Sequence, residues 1–495
     1  MEAMLKQQKL SKKFNRLWTS IYERSQYKLI RNSPGSLKSD LKMAKEIIAF
    51  IQPYSIKPKR RVEISELSSQ IEQIVQDWIQ NIPATSNDKT PTKAKMLRNG
   101  SFLMNSELDG SDLDLICVVP EEIKFHYFFH RCNEDNLFSL LNKKLLEAVV
   151  SWRPGKVPLI RIEYGQILVD LLFVPVPGKT LLNDQNLKRL ESDELIKEMT
   201  TEKGIYSLAG YRSGKYQLAL VQNQNNLSFL LRTLKVWAKN RFIYSGLFGY
   251  FNGITLSIMA TKICVLFPNA PLAYLLFQFF SIYSKWNWPS DQIMLKELTP
   301  ETMNNVVCSW PPVFKQGECS MIVMTPTFPE QNAAYNVNTV TLRAIVQEFK
   351  IANEILADNP QNWKAIFAEI KIEEKFEHFA LIVCSAFDFK LHTKNCAFEK
   401  SKIRLKLFEW ANLKIVSAQL DIYHLIPKFE KKTICKITRN KTFCTLWLVG
   451  LSMKAEFREN KTLEELLPIY SNNSSSRGHF LMRSFYTETQ NLNKT

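Results

Sequence analysis

At 495 residues the chain is too long for one compact core, and usual domain sizes point to about three domains. The 65 Lys and Arg against 48 Asp and Glu leave a net charge of +17, which favours a polyanionic partner, either nucleic acid or an anionic membrane. Nine scattered cysteines with no CxxC pair exclude a disulfide framework and a zinc site, and charges throughout MEAMLKQQKLSKKF exclude a secretory leader.

In chain order, residues 1–25 read as a basic tail. The first strongly periodic helix carries Ile64, Leu67, Ile71, Ile74 or Val75, and Trp78 on one face. Before it, KPKRR at Lys57 to Arg61 is either a nuclear import signal or a solvated loop between two helices. A polar linker from Pro83 to Lys95 leads into RNGSF. A strand is expected from Leu113 to Val119, followed by a helix with Leu137, Leu141, Leu145 and Ala148 on one face. A hairpin, Leu159 to Tyr164 and Ile167 to Val174, turns at Gly165. His126 and His130 have helical metal spacing, but no third ligand and four aromatic neighbours, and so read as structural.

From about Asp184 to Ile355 the pattern is mainly helical. Between Phe242 and Ser284 the only charged residue is Lys262. Pro268, Asn269, Pro271 and Gln278 interrupt that run, so it reads as buried helices joined by a turn rather than a membrane span. A helix from Ser228 to Arg241 places Arg232, Lys235 and Lys239 on one face and Leu230, Leu231, Leu234 and Ala238 on another, and the row of cations implies an anion opposite. Beyond Phe376, strand-like runs such as IRLKLFEW, LKIVSAQL and CTLWLVGL alternate with Lys-rich turns, as in a late α+β domain. The SNNSSSRG tract after Leu467 reads as disordered. No internal repeat is visible.

The chemistry concentrates in acids. In Ser111-Asp112-Leu113-Asp114-Leu115, strand period places both carboxylates on one face and both leucines in the core. Two carboxylates side by side repel, and Mg²⁺ is the natural neutraliser. Asp170 lies in the second arm of the hairpin among residues that need burial, where an isolated carboxylate is costly. With the two strands adjacent, the three acids can hold two metals about 3.5–4 Å apart, the geometry that activates a hydroxyl and stabilises a leaving phosphate. Gly100-Ser101 upstream offers backbone N–H groups to triphosphate oxygens. GS, then DLD on one strand, then a lone Asp on another, is the order of a metal-dependent nucleotidyltransferase.

The chain also resembles the nuclear poly(A) polymerases of eukaryotes over roughly residues 30–465. The likeness is carried by NGSF with SDLDLICVVP, VPLIRIEYGQILVDLLF, LRTLKVWAKNRFIYSGLFGYFNGIT, LFPNAPLAYLLFQFFSIYSKWNWP, MTPTFPEQNAAYNV and CTLWLVGL, in that order. The resemblance implies an α+β multidomain protein: a DNA polymerase beta-like nucleotidyltransferase palm over 60–182, a helical central domain from 26–59 and 183–362, an RRM-like RNA-binding domain over 363–467, and a disordered tail over 468–495. It implies a polynucleotide adenylyltransferase that adds AMP from ATP to an RNA 3′ end to make poly(A) tails in the nucleus. Its partners would be cleavage and polyadenylation factors, with no membrane and a monomeric chain. Alternative readings are a terminal nucleotidyltransferase with relaxed or UTP preference, or a non-catalytic RNA-binding paralogue.

By the resemblance, Asp112, Asp114 and Asp170 are catalytic metal ligands for Mg²⁺, with Mn²⁺ as a substitute. Gly100 and Ser101 form the phosphate loop, Lys235 binds phosphate, Tyr244 contacts the nucleotide, and Gly253 and Ile254 belong to the adenine pocket. Primer affinity would come from the region of Lys428, Lys431, Lys432, Lys436 and Arg439. The chain departs from the family pattern at Ala209 and Gly246, where amides are usual, at Asp109, where a lysine is usual, and at Asn99, where an aromatic residue is usual.

Overall fold

The computed structural model describes residues 37–82, 93–129, 135–177, 187–296 and 320–370, with short strands and a few single residues beyond 377. The basic tail at 1–25, His130, the tract SNNSSSRG and the cluster from Lys428 to Arg439 lie outside the described residues.

Helices α1 (Leu37–Ile51) and α2 (Pro58–Gln80) precede the first strand. Pro58 opens α2 at a position where its missing N–H costs nothing, so most of KPKRR forms a helical first turn rather than a loop. Arg61 from that turn pairs with the buried Glu107 at 3.0 Å.

A five-stranded mixed sheet follows, built from β1 (Lys95–Arg98), β2 (Leu113–Pro120), β3 (Ala148–Arg153), β4 (Leu159–Tyr164) and β5 (Ile167–Val176) in the order β1-β2-β5-β4-β3. The β2–β5 pair is parallel and the other three pairs are antiparallel. Leu113, Leu115, Cys117 and Val119 alternate into a core closed by Ile64, Leu67, Ile71 and Trp78 of α2. Ile116 and Val118 serve the opposite face against Leu195, Ile196 and Leu208. Both faces of β2 are thus covered, which explains its continuous apolar run.

Between β1 and β2 a single turn of helix, α3 (Gly100–Leu103), returns the chain to the sheet. The helix α4 spans Leu137–Lys144 and ends sooner than its leucine spacing suggests. Leu145 caps it, and Ala148 already belongs to β3, where Val149, Val150 and Trp152 favour an extended pairing with β4. His126 sits exposed on a short helical turn, Phe125–Phe128.

The helical part comprises α5 (Glu202–Leu220), α6 (Gln224–Asn240), α7 (Gly253–Leu266), α8 (Leu272–Ser284) and α9 (Thr339–Asp358). Asn223, Asn252 and Asn338 cap three of these helices through their side-chain oxygens, and Asn338 forms a full capping box with Thr341. Met43, Ile47 and Ile51 of α1 join the core of this helical part. At its centre Trp237, 1% exposed, stacks on Phe349 at 5.7 Å and meets Phe280 edge-on at 4.9 Å. No helix among the described residues is long and apolar enough to cross a membrane. Cys117 and Cys264 are buried, free thiols, and Cys396 is buried against His392.

A second sheet contains β6 (His378–Ala386), β7 (Asp421–Tyr423), β8 (Phe443–Leu451) and β9 (Phe480–Phe485), ordered β7-β8-β6-β9 with every pair antiparallel. The last strand falls within 468–495, the range whose Ser/Asn-rich start reads as a disordered tail.

Trp237→Ala should cost about 3–5 kcal/mol of stability through lost burial and the cavity left behind. Denaturant unfolding that gives less than about 1 kcal/mol would remove Trp237 from the centre of the core.

Candidate active site

The parallel register of β2 and β5 makes Asp114 and Asp170 direct partners. Asp112, two residues before Asp114 and just ahead of β2, has a side chain 40% exposed. Leu113 and Leu115 point the other way into the core. Asp112 thus precedes the strand expected to carry it, and all three acids line a single cavity of about 630 Å³.

The repulsion among them is answered by a residue that sequence reasoning missed. Arg161 of β4 is the cross-strand partner of Asp170. Its guanidinium grips both Asp170 oxygens, Nε to Oδ1 at 2.7 Å and Nη2 to Oδ2 at 2.6 Å, and lies 3.6 Å from Asp112 Oδ2. The hydrogen bonds to Asp170 raise the Arg161 pKa. A signal was available: Arg161 stands between Ile160 and Ile162, both fully buried, and a tight hairpin at Gly165 sets it opposite Asp170.

Burial, and then the charges of Asp170 and Asp112, push Asp114 up to about 7. Burial raises Asp112 as well, against the pull of Arg161 and with the push of Asp170. Three hard carboxylate oxygen donors that charge one another unfavourably suit Mg²⁺. Among the described residues no three such side chains are grouped closely enough to hold a metal ion as they stand, and both oxygens of Asp170 are bonded to Arg161.

Gly100 begins α3 with φ +53°, and a Cβ there would fall 2.1 Å from Asp114 Oδ2. Both the left-handed backbone and the close approach demand glycine. Gly100 and Ser101 line the same cavity as the acids.

The opposite wall comes from α6, the segment after it and α7. Lys235 is 6% exposed and donates to Ser106 O at 2.9 Å and Ser106 Oγ at 3.2 Å. Burial lowers its pKa to about 8, with Lys239 adding to the effect. Lys239 is lowered by burial against the pull of Asp109 and Asp112, so Asp109 supports a neighbouring cation. Tyr244 is pushed up to about 12 by burial and the nearby Asp112 and Asp114, which keeps its phenol neutral. Gly253 and Ile254 begin α7 beside it and also line the cavity.

Arg232 does not join this wall. It donates to Asn105 O at 2.7 and 3.1 Å and lies 3.9 Å from Glu107. Ser228 also donates to Asn105 O. One helix therefore fastens the loop after α3 and presents Lys235 and Lys239 to the cavity.

Two family models match in succession: the poly(A) polymerase nucleotidyltransferase domain over residues 36–221 and the poly(A) polymerase central domain over residues 226–369. The chain belongs to the poly(A) polymerase family. Nuclear poly(A) polymerase 1 of Arabidopsis thaliana is 28% identical over 368 residues, 71% of this chain and 50% of that protein. Poly(A) polymerase PAPalpha of Candida albicans is 28% identical over 364 residues, 70% of this chain and 61% of that protein. The chain thus spans half to three-fifths of the length of these curated relatives. A solved structure of Cid1, described by its RNA terminal uridylyl transferase activity, is similar with TM-score 0.44 and 14% identity over 67% of this chain and 99% of that one. A score that low carries no argument about nucleotide choice. The family match agrees with the fold, a mixed-sheet palm joined to a helical central domain.

Asp114 holds its proton more tightly folded than unfolded, so its contribution to metal-free stability is present at low pH and is lost as pH rises through about 7. In chelator, Asp114→Asn should therefore raise the melting temperature most at about pH 8 and progressively less as pH falls toward the ordinary carboxylate value of 3.8, where variant and wild type converge. Equal melting temperatures of variant and wild type at about pH 8 would contradict the buried, mutually repelling acids.

Proposed function

We propose that this chain is an RNA 3′-end nucleotidyltransferase that adds AMP from ATP, as the names of its relatives suggest. The observation that carries this reading is the register pairing of Asp114 with Asp170 beneath Asp112, in a cavity whose far wall presents Lys235, Lys239 and Tyr244. A cleft with acids on one side and cations on the other suits a metal-bound triphosphate.

Asp112, Asp114 and Asp170 would hold Mg²⁺, or Mn²⁺ in its place. The ion would lower the pKa of the primer 3′ hydroxyl and neutralise charge on the leaving pyrophosphate. Gly100 and Ser101 would turn backbone N–H groups toward phosphate oxygens. Lys235 spends two of its three N–H donors on Ser106 and keeps one for phosphate. With its pKa near 8 it carries its charge at neutral pH. Tyr244, Gly253 and Ile254 would bound the adenine. Arg161 would release one Asp170 oxygen as the cation arrives, keeping the acids neutralised in both states.

RNA would enter between the palm and the C-terminal part. An RRM-like domain there is supported by the four-stranded antiparallel sheet β7-β8-β6-β9, the kind of platform such modules use. Backbone contacts by the basic residues of that domain would give salt-dependent primer binding with little base selection. The names of the nuclear relatives support a nuclear location, and cleavage and polyadenylation factors are proposed as partners of a monomeric chain.

The purified chain, an RNA primer, Mg²⁺ or Mn²⁺ and each nucleoside triphosphate singly form the test, beside Asp114→Ala. Extension with ATP that falls by at least about 10³-fold in the variant supports the reading. Extension with UTP alone would replace adenylyl by uridylyl transfer, and no extension above the variant would sink catalysis.

A further inference from the structure

Three amide side chains line the cavity: Asn99, Gln217 and Asn252. Two are fully engaged. Gln217 donates to Ser213 and accepts from Thr261, and Asn252 caps α7 while donating to Ala333 O. Asn99 is different. It occupies the cap position of α3 but makes no side-chain capping bond, and it is only 9% exposed. Its Oδ1 is sealed from solvent and has no hydrogen-bond partner. A buried amide left in that state costs stability, and such groups in folded proteins call for an explanation, a ligand among them.

The position of Asn99 narrows what that ligand group is. Its backbone N–H donates to Asp114 O at 2.8 Å, so the residue is pinned beside the acids. Its side chain reaches toward α5, where a Cβ at Gly210 would come within 3.2 Å of Nδ2. Whatever Asn99 meets therefore lies within about one side chain of the metal-binding acids, on the palm side. The base end of the cavity, at Tyr244, Gly253 and Ile254, is the other wall. The orphaned atom is an acceptor and needs a donor, which a phosphate oxygen cannot supply and a sugar hydroxyl can. A hydroxyl also accepts, so it can satisfy either end of a carboxamide.

We propose that Asn99 is a specificity-determining residue that hydrogen-bonds a sugar hydroxyl of the incoming ribonucleoside triphosphate. This rests on the nucleotidyltransferase reading above. Gly210 is its complement, because the absence of a side chain there leaves the amide its place.

The test uses the full chain in single-nucleotide primer extension with ATP, 2′-deoxy-ATP and 3′-deoxy-ATP, comparing kcat/KM for wild type, Asn99→Ala and Gly210→Ala. Wild type should prefer ATP over one of the deoxy analogues by about tenfold or more, the scale of one buried hydrogen bond. Asn99→Ala should bring that ratio to within about twofold of unity, chiefly by slowing ATP, and Gly210→Ala should reduce it by crowding the amide. The nucleotide-free melting temperature of Asn99→Ala should not fall, because no bond within the protein is lost; a merely structural asparagine would lower it. Ratios unchanged in both variants, with wild-type extension intact, overturn the proposal and leave the nucleotidyltransferase reading standing. A change in preference among bases with unchanged deoxy ratios overturns the sugar assignment. No extension and no ATP binding by wild type would remove both.

Discussion

Three carboxylates on one side of a sheet repel one another, and the placement of much of the molecule follows from that cost. The parallel pairing of β2 and β5 sets Asp114 against Asp170, and Asp112 lies two residues away. A parallel pair needs both faces covered, and the apolar cores on either side of β2 supply that cover, so Asp170 is held buried and Asp114 half-buried beside it. Without the packed sheet the carboxylates would relax apart. With it they stay close enough that Asp114 is pushed up to about 7 and Asp170 is gripped at both oxygens by Arg161.

The cations of the second wall are held by one helix. Leu227, Leu230, Leu231 and Leu234 bury one side of α6 in the helical core. Its other side fastens the Asn105–Glu107 loop through Ser228 and Arg232, and holds Lys235 on Ser106. The loop follows directly from α3, whose Gly100 abuts Asp114. Acids and cations are therefore linked through a short run of backbone, and a change in how the loop docks would move both.

Much of this was legible in the residues. Strand period placed Asp112 and Asp114 on one face, and the apolar surroundings of Asp170 marked its carboxylate as one that needed a reason. The turn at Gly165 was equally plain. Other features were hidden because pairing is a long-range property. Arg161 was within reach, since closing the hairpin at Gly165 counts it opposite Asp170, yet taken alone it reads as an ordinary outward residue of IRIEY. The strand at Ala148–Arg153 was masked by leucine spacing that runs a helical pattern past the real end of α4. The cations of α6 looked alike in sequence, yet Glu107 draws Arg232 away from the cavity while Lys235 and Lys239 line it. Asn99 stood out only as an unusual neighbour of glycine; its lack of a partner is visible only when every nearby donor has been placed.

On the proposed function, Arg161 and a divalent cation would neutralise the same acids in turn. A crystal structure of the chain with Mn²⁺ and a non-hydrolysable ATP analogue, with anomalous scattering used to locate the metal, tests it most directly. Manganese is expected on Asp112, Asp114 and Asp170, with Arg161 no longer on both oxygens of Asp170. Manganese elsewhere, or a fully bound analogue with the Arg161 grip on Asp170 unchanged, would contradict it.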